Sequence, residues 1–153
     1  MTELIVALVP DLDPQPAIFD LTAGTLSRLA AVEPDACRAV AFAFALRLLA
    51  LLGYGPPTDR CVECGRPLPA GRPVDYSVGL GGPVCGACRP TDKGRIHRLS
   101  AKTVEALAFL ARAEWDQVRR VRLKPSTADQ VRDLLSATAV ELGGRELSAA
   151  RHV

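Results

Sequence analysis

From Ala39 to Leu52 every residue except Arg47 is apolar. A run this uniform has no wet face, so it predicts a helix covered on all sides, the central member of a bundle. At fourteen residues it falls short of the ~20 needed to cross a bilayer, and it carries a guanidinium besides. Glu33-Pro34-Asp35 sets its start, because proline suits a first helical turn and the acids face the positive end of the helix dipole. Gly53 stops it, and Pro56-Pro57 forbids continuation. Ala39, Ala41, Ala43 and Ala45 let neighbouring helices approach closely. Arg47 is expected to snorkel or to be paired, and Cys37 to be a small buried apolar residue.

Weaker periodicities surround this run. Glu3 to Val9 reads as the last turns of a helix, followed by an extended connection in which Pro10, Pro14 and Pro16 alternate with Asp11 and Asp13. A second helix is predicted from Pro16 or Ala17 to about Ala31, with Ile18, Leu21, Thr25, Leu26 and Leu29 on its buried face. Beyond the central run, Ser100 caps a helix carrying Val104, Leu107, Ala108 and Leu110 or Ala111 towards Trp115. Ser126-x-x-Asp129 resembles a capping box opening a last helix. Its stripe is Val131, Leu134, Leu135, Thr138 and Leu142, and Gly143-Gly144 ends it.

Between the central run and Ser100 the helical pattern gives way to a different chemistry. Cys61-Val-Glu-Cys64 and Cys85-Gly-Ala-Cys88 are separated by twenty residues. Two residues between cysteines lets both thiolates of a pair face one point, and the longer span lets a hairpin bring the second pair opposite the first. Gly65 and Gly86 fall where the backbone must turn tightly. Val74 to Val78 and Leu80 to Val84 read as short strands around Gly79. The spacing predicts a zinc ribbon with Cys61, Cys64, Cys85 and Cys88 as ligands of one structural zinc per chain. Two alternatives exist, paired disulfides and a thiol redox site. No secretory leader is legible in Met1 to Pro10, and a thioredoxin-like site needs one pair at a strand-to-helix junction. Four sulfurs close the coordination sphere, so the metal is architectural rather than catalytic. His97 is not needed as a ligand.

Composition adds one constraint. Aromatics are few, with one Trp, two Tyr and four Phe, so Ala, Leu and Val must fill the core. Stacking platforms for single-stranded nucleic acid are missing. The net charge is only +2, yet it is unevenly spread. Residues 1–58 hold three basic and six acidic side chains, residues 59–102 eight and four, and residues 103–153 eight and seven. Within the polar connection from Thr91 to Arg98, Lys93, Arg95 and Arg98 can meet phosphate, with Lys102 close behind; a solvated loop is the alternative. Arg119, Arg120, Arg122 and Lys124 form the strongest phosphate-contacting strip, although such runs are commonly solvated faces. No Gly-rich phosphate loop, nucleophile elbow or paired catalytic carboxylates are present, so an enzyme is not expected.

The fold class is thus mainly α, a helical bundle with an inserted four-cysteine zinc ribbon containing a short β-hairpin. Residues 1–58 and 99–147 are expected to form one bundle, residues 59–98 the insertion, and residues 148–153 a frayed tail. The run Leu48 to Tyr54, then Asp59-Arg60-Cys61-Val-Glu-Cys64-Gly65, Tyr76-Ser77, Gly81 to Arg89, Leu99-Ser100 and Glu141 to Leu147, resembles the C-terminal part of the bacterial RecO family. The resemblance covers about Glu3 to Leu147 and implies a non-enzymatic recombination mediator of the RecF repair pathway, cytoplasmic and associated with the nucleoid. It implies binding to single- and double-stranded DNA, and docking to RecR and to the tail of single-strand-binding protein. The family normally begins with an OB-fold, a nucleic-acid-binding fold, and this sequence starts where that fold would have ended. A protein-interaction or structural zinc module without DNA binding is therefore the alternative.

Overall fold

The computed structural model describes residues 1–9, 15–55, 57–90 and 96–143. Its helices are α1 (Thr2–Leu8), α2 (Pro16–Leu29), α3 (Pro34–Leu51), α4 (Ala101–Arg112), α5 (Trp115–Val118) and α6 (Pro125–Gly143). Three short strands lie between α3 and α4: β1 (Val74–Ser77), β2 (Gly82–Val84) and β3 (Ile96–Leu99).

Helix α3 is the central element, as its uniform apolarity predicts, and it contacts α2, α4, α5 and α6. Its buried residues divide between two clusters. Ala39, Val40, Phe42, Ala43 and Leu46 join Leu107, Leu110, Val118, Val131 and Leu134. Phe44, Ala45 and Leu48 turn the other way, towards Leu4, Ile18 and Ala139. Both sides of the helix are therefore dry, which is why its sequence shows no helical alternation. Pro34 occupies its first turn. At its end Gly53 adopts φ +85°, and the amides of Gly53 and Tyr54 return to Ala50 O and Leu49 O at 3.1 and 2.7 Å. This closure satisfies the last carbonyls and needs a residue free to enter the left-handed region.

Pro16 starts α2, and Ile18 and Thr25 are buried. Leu26, expected on the buried face, is instead 56% exposed, because the covered stripe is narrower than the apolar pattern implies. Cys37, expected to be buried, is half-buried. Ser100 caps α4 by accepting the Thr103 amide, and Gln130 of α6 accepts from both the Ser100 amide and the Thr103 hydroxyl. The Ser100 helix does not run on to Trp115. Ala113 takes an extended conformation (ψ 151°), and Trp115 opens the separate α5. The last helix also starts before the predicted box: Pro125 is its first residue, the Ala128 amide reaches Lys124 O at 3.0 Å, and Asp129 pairs with Arg132 rather than capping. Val131, Leu134 and Thr138 are buried as the stripe predicts. A Cβ at Gly143 would lie 3.1 Å from Ala7 O, so the absence of a side chain there allows α6 to approach α1. The predicted stops at Pro56 and Gly144, and the connection through Pro10 and Pro14, lie outside the described residues.

The sheet has the order β2-β1-β3, antiparallel throughout. Tyr76 pairs with Pro83 on one side and His97 on the other. β3 is a correction, since residues 96–98 read as part of a polar connection. Leu80 is not in a strand either; it lies in the exposed turn before β2. Tyr76, Val78 and Leu99 insert into the larger core cluster, which fixes the sheet against the bundle.

Candidate metal centre and cationic edge

The first cysteine pair sits in a tight loop closed by a bridge between Arg60 and Pro67. Within it the Cys61 amide donates to Arg66 O at 2.9 Å, and the Gly65 amide donates to Cys61 O at 2.9 Å. Gly65 has φ +70°, as its position predicts, whereas Gly86 has no left-handed backbone among the described glycines. In the second pair the Cys88 amide donates to Cys85 O at 3.0 Å. The two loops are joined through β2, where the Val62 amide donates to Pro83 O at 2.9 Å.

Together these bonds bring the Sγ atoms of Cys61, Cys64, Cys85 and Cys88 within 4.8 Å of one another. Cys64 and Cys85 are 3.8 Å apart. Tetrahedral thiolates with Zn–S bonds of ~2.3 Å stand about 3.8 Å from each other, so four reduced sulfurs at these separations can hold one metal ion. The set is all-sulfur and leaves no protein-side position for water or substrate. Cys61 is buried and Cys64 exposed.

The surroundings favour thiolates. Arg66 donates through Nε to Cys64 at 3.3 Å and through Nη2 to Cys85 at 3.8 Å, touching one sulfur from each pair. Its guanidinium, with the Arg66 amide, lowers the Cys64 thiol to about 6. Burial pushes Cys61 upwards, but the amides of Cys64, Cys85 and Glu63 outweigh it and leave the thiol below its ordinary value. Hydrogen bonding with the sulfurs of Cys64 and Cys85 pushes Cys88 up to about 12 in the metal-free cluster. His97 lies on β3, paired with Tyr76, outside the cluster.

The basic residues separate into two groups. Arg98 is bound to buried Asp75 at 2.8 Å, and Arg89 meets the same carboxylate at 3.5 Å. Lys102 pairs with Glu105 at 2.8 Å and Arg119 with Asp116 at 3.2 Å. Each of these cations already has an acid beside it. Arg122 donates to the carbonyls of Arg119 and Val121, and neither it nor the exposed Arg120 and Lys124 makes an ion pair among the described residues. Lys93 and Arg95 lie outside the described residues. Arg38, which the sequence did not single out, lines a groove of about 350 Å³ with Arg122, Leu123, Pro34, Ala39 and Asp35. A lone arginine on a helix gives no such signal; only the fold brings residues 122 and 123 over the first turn of α3. Arg47 is paired, as expected, donating to Ala113 O and stacking on Trp115 at 4.0 Å.

The described residues thus form a helical bundle carrying a small antiparallel sheet and four cysteine sulfurs that could hold one metal ion, and no described helix is long and apolar enough to cross a membrane. The chain belongs to the RecO family: residues 1–147 match the family described as "Recombination protein O C terminal". It is 34% identical to the DNA repair protein RecO of Anaeromyxobacter dehalogenans over 149 residues, covering 97% of this chain and 57% of that relative. It is 44% identical to the DNA repair protein RecO of Frankia casuarinae over 105 residues, covering 67% of this chain and 40% of that one. The relative from Pelotomaculum thermopropionicum, with the same name, is 41% identical over 88 residues, covering 58% and 32%. The chain thus spans roughly half the length, or less, of these relatives.

Proposed function

We propose that this chain is a non-enzymatic RecO-type recombination-mediator module acting in DNA repair in the bacterial cytoplasm, at the nucleoid. Cys61, Cys64, Cys85 and Cys88 hold one structural zinc, which fastens the hairpin to the bundle. Arg120, Arg122 and Lys124, beside Arg38, contact DNA phosphates without regard to sequence, with Arg119 contributing once it leaves Asp116. Arg98 and Lys102, bound to acids, contribute less; Lys93 and Arg95, which the sequence also offers as phosphate contacts, lie outside the described residues. RecR and the tail of single-strand-binding protein are its protein partners by family. The observation that carries the DNA reading is that Arg120, Arg122 and Lys124 stand exposed within five consecutive residues without an ion pair among the described residues, and that Arg122 shares a groove with Arg38.

A second reading is a docking module that does not bind DNA by itself. It is favoured by exposed apolar side chains on α1 and α2, where Val6 and Phe19 are each 72% exposed. Fluorescence anisotropy of the zinc-loaded chain with single-stranded and duplex oligonucleotides across a salt series separates the two. Removing three phosphate contacts with Arg120→Gln, Arg122→Gln and Lys124→Gln should lower the log–log salt slope by about 2 to 3. No binding at low salt by a folded, zinc-containing chain leaves the docking module.

A further inference from the structure

The groove between the first turn of α3 and residues 122–123 holds opposite charges that do not neutralise each other. Arg38, Arg122 and Asp35 line it, and Pro34, Ala39 and Leu123 supply an aliphatic wall. Asp35 stands one turn before Arg38, yet its carboxylate makes neither an ion pair nor a hydrogen bond among the described residues, and the Arg38 guanidinium makes none either. An acid among these cations is a disadvantage if phosphate is all that the groove meets, because like charges repel. It is of use if the occupant also carries donors. At about 350 Å³ the groove falls within the ~300–1,000 Å³ range of small-molecule pockets, which leaves room for a planar ring beside a phosphate. Every DNA base has an N–H or amino donor on its pairing edge, occupied in a duplex and open in a single strand.

We propose that this groove seats one unstacked nucleotide of a single strand, its phosphate on Arg38 and Arg122, its base against Leu123 and Pro34 and donating to Asp35. Asp35 is then the residue that distinguishes a single strand from a duplex. All four bases can donate to it, so it reads the pairing state and not the sequence. Guanidinium planes cover base faces as aromatic rings do, which serves a chain with few aromatics. The inference rests on the DNA reading above. It adds to that reading an acid that a surface for phosphates alone would be better without.

The test compares three labelled probes by fluorescence anisotropy on the full zinc-loaded chain at one salt concentration. They are a mixed-sequence single strand, a strand of equal length with tetrahydrofuran in place of every base, and a blunt duplex. The two single strands carry the same phosphates, so the ratio of their dissociation constants isolates the bases. The parent chain should bind the intact strand roughly tenfold more tightly than the abasic one, the factor expected of one hydrogen bond to a charged group. Asp35→Ala should bring that ratio close to one while tightening the duplex, from which a repelling charge has been removed. Arg38→Gln should weaken both single strands alike and leave the ratio in place. Both residues are exposed, so neither change should disturb folding, which circular dichroism and zinc content verify. Equal affinity of the parent for intact and abasic strands, or a ratio that survives Asp35→Ala, overturns the inference and leaves the DNA reading standing. No binding of any probe at low salt defeats the DNA reading, and the inference with it.

Discussion

Gly82 is where the metal loop meets the sheet most closely, and filling it should show how far the two are coupled. A Cβ built there would lie 2.1 Å from Val62 Cγ1 and 3.3 Å from Val62 Cβ. Carbon atoms in contact stand ~3.5 Å or more apart, so the groups must separate by about 1.4 Å for Gly82→Ala to fit. Val62 cannot simply swing away, because a β-branched side chain has few χ1 choices and its backbone is held to Pro83 O at 2.9 Å. Overpacking of this kind costs ~1–3 kcal/mol, and removing glycine's freedom in the unfolded chain returns ~0.4–1 kcal/mol. Gly82→Ala should therefore destabilise by about 1–2 kcal/mol. Val62→Ala alone loses two half-buried carbons, about 1 kcal/mol. In the double variant the alanine at 82 finds the space Val62 has left, so its cost should vanish and the coupling should be about 1–2 kcal/mol in favour of the pair. Urea unfolding of the zinc-loaded parent, both single variants and the double variant measures all four corners of the cycle. Additivity, with the double variant as unstable as the two singles summed, would refute the argument that this contact joins loop and strand.

Zinc affinity should fall as pH falls. Cys64 ionises at about 6 in the folded metal-free cluster, so its stabilising effect is complete above the free-thiol value near 9.0 and is lost as pH falls through about 6. Cys88, held up at about 12, must surrender a proton when metal binds, so between pH 7 and 8 affinity should drop at least tenfold per unit, roughly one proton per metal; competition with a chelator across pH measures this, and a flat profile contradicts it. Asp75→Asn keeps the shape but removes the carboxylate that Arg98 and Arg89 share. With both arginines half or more exposed, the cost should be about 1–2 kcal/mol after allowing for screening, read as a lower thermal midpoint, and a midpoint unchanged would show the pair to be ornamental. Chelating the zinc should speed hydrogen exchange in β1 and β2 before α6, and uniform acceleration would argue that the bundle depends on the metal as a whole.

Local chemistry was legible in the sequence, and chemistry made by distant contacts was not. Pro16 and Pro34 each mark a helix start because their missing N–H costs nothing in a first turn. The two cysteine pairs declared their convergence because most of the geometry is set within four residues. β3 was hidden because Ile96, His97 and Arg98 show no alternation, and only Leu99 of the strand is buried; it is a strand because β1 offers a free edge. Leu26 was misplaced because apolarity does not reveal which side of a helix has a neighbour. The cationic strip could be read, but which of its members were free could not. Asp116 takes up Arg119 while Arg120 makes no ion pair among the described residues, and Arg38 joins Arg122 only across the folded groove.

The same core cluster supports both candidate sites, but through different walls. Tyr76, Val78 and Leu99 bring the sheet to it, whereas Val118, Ala128 and Val131 bring the elements flanking residues 119–124. Helix α3 lies between them, its first turn lining the cationic groove and its closed C-terminus leading towards the cysteine loop. The ribbon is thus a brace on one side of the core, joined to it by Tyr76, Val78 and Leu99, while Asp75 ties Arg89 and Arg98 within the ribbon itself. The cationic edge draws its position from the packing of α5 and α6 on α3, with no covalent or metal link to the thiolates. A metal held by these four cysteines would not have to touch nucleic acid to matter: it would hold the hairpin whose apolar residues Tyr76 and Val78 join the core, and the core in turn positions the elements that flank the arginines. That division explains why the free cations and the sulfurs are built from separate stretches of chain, and why loss of metal and loss of charge should leave different signatures.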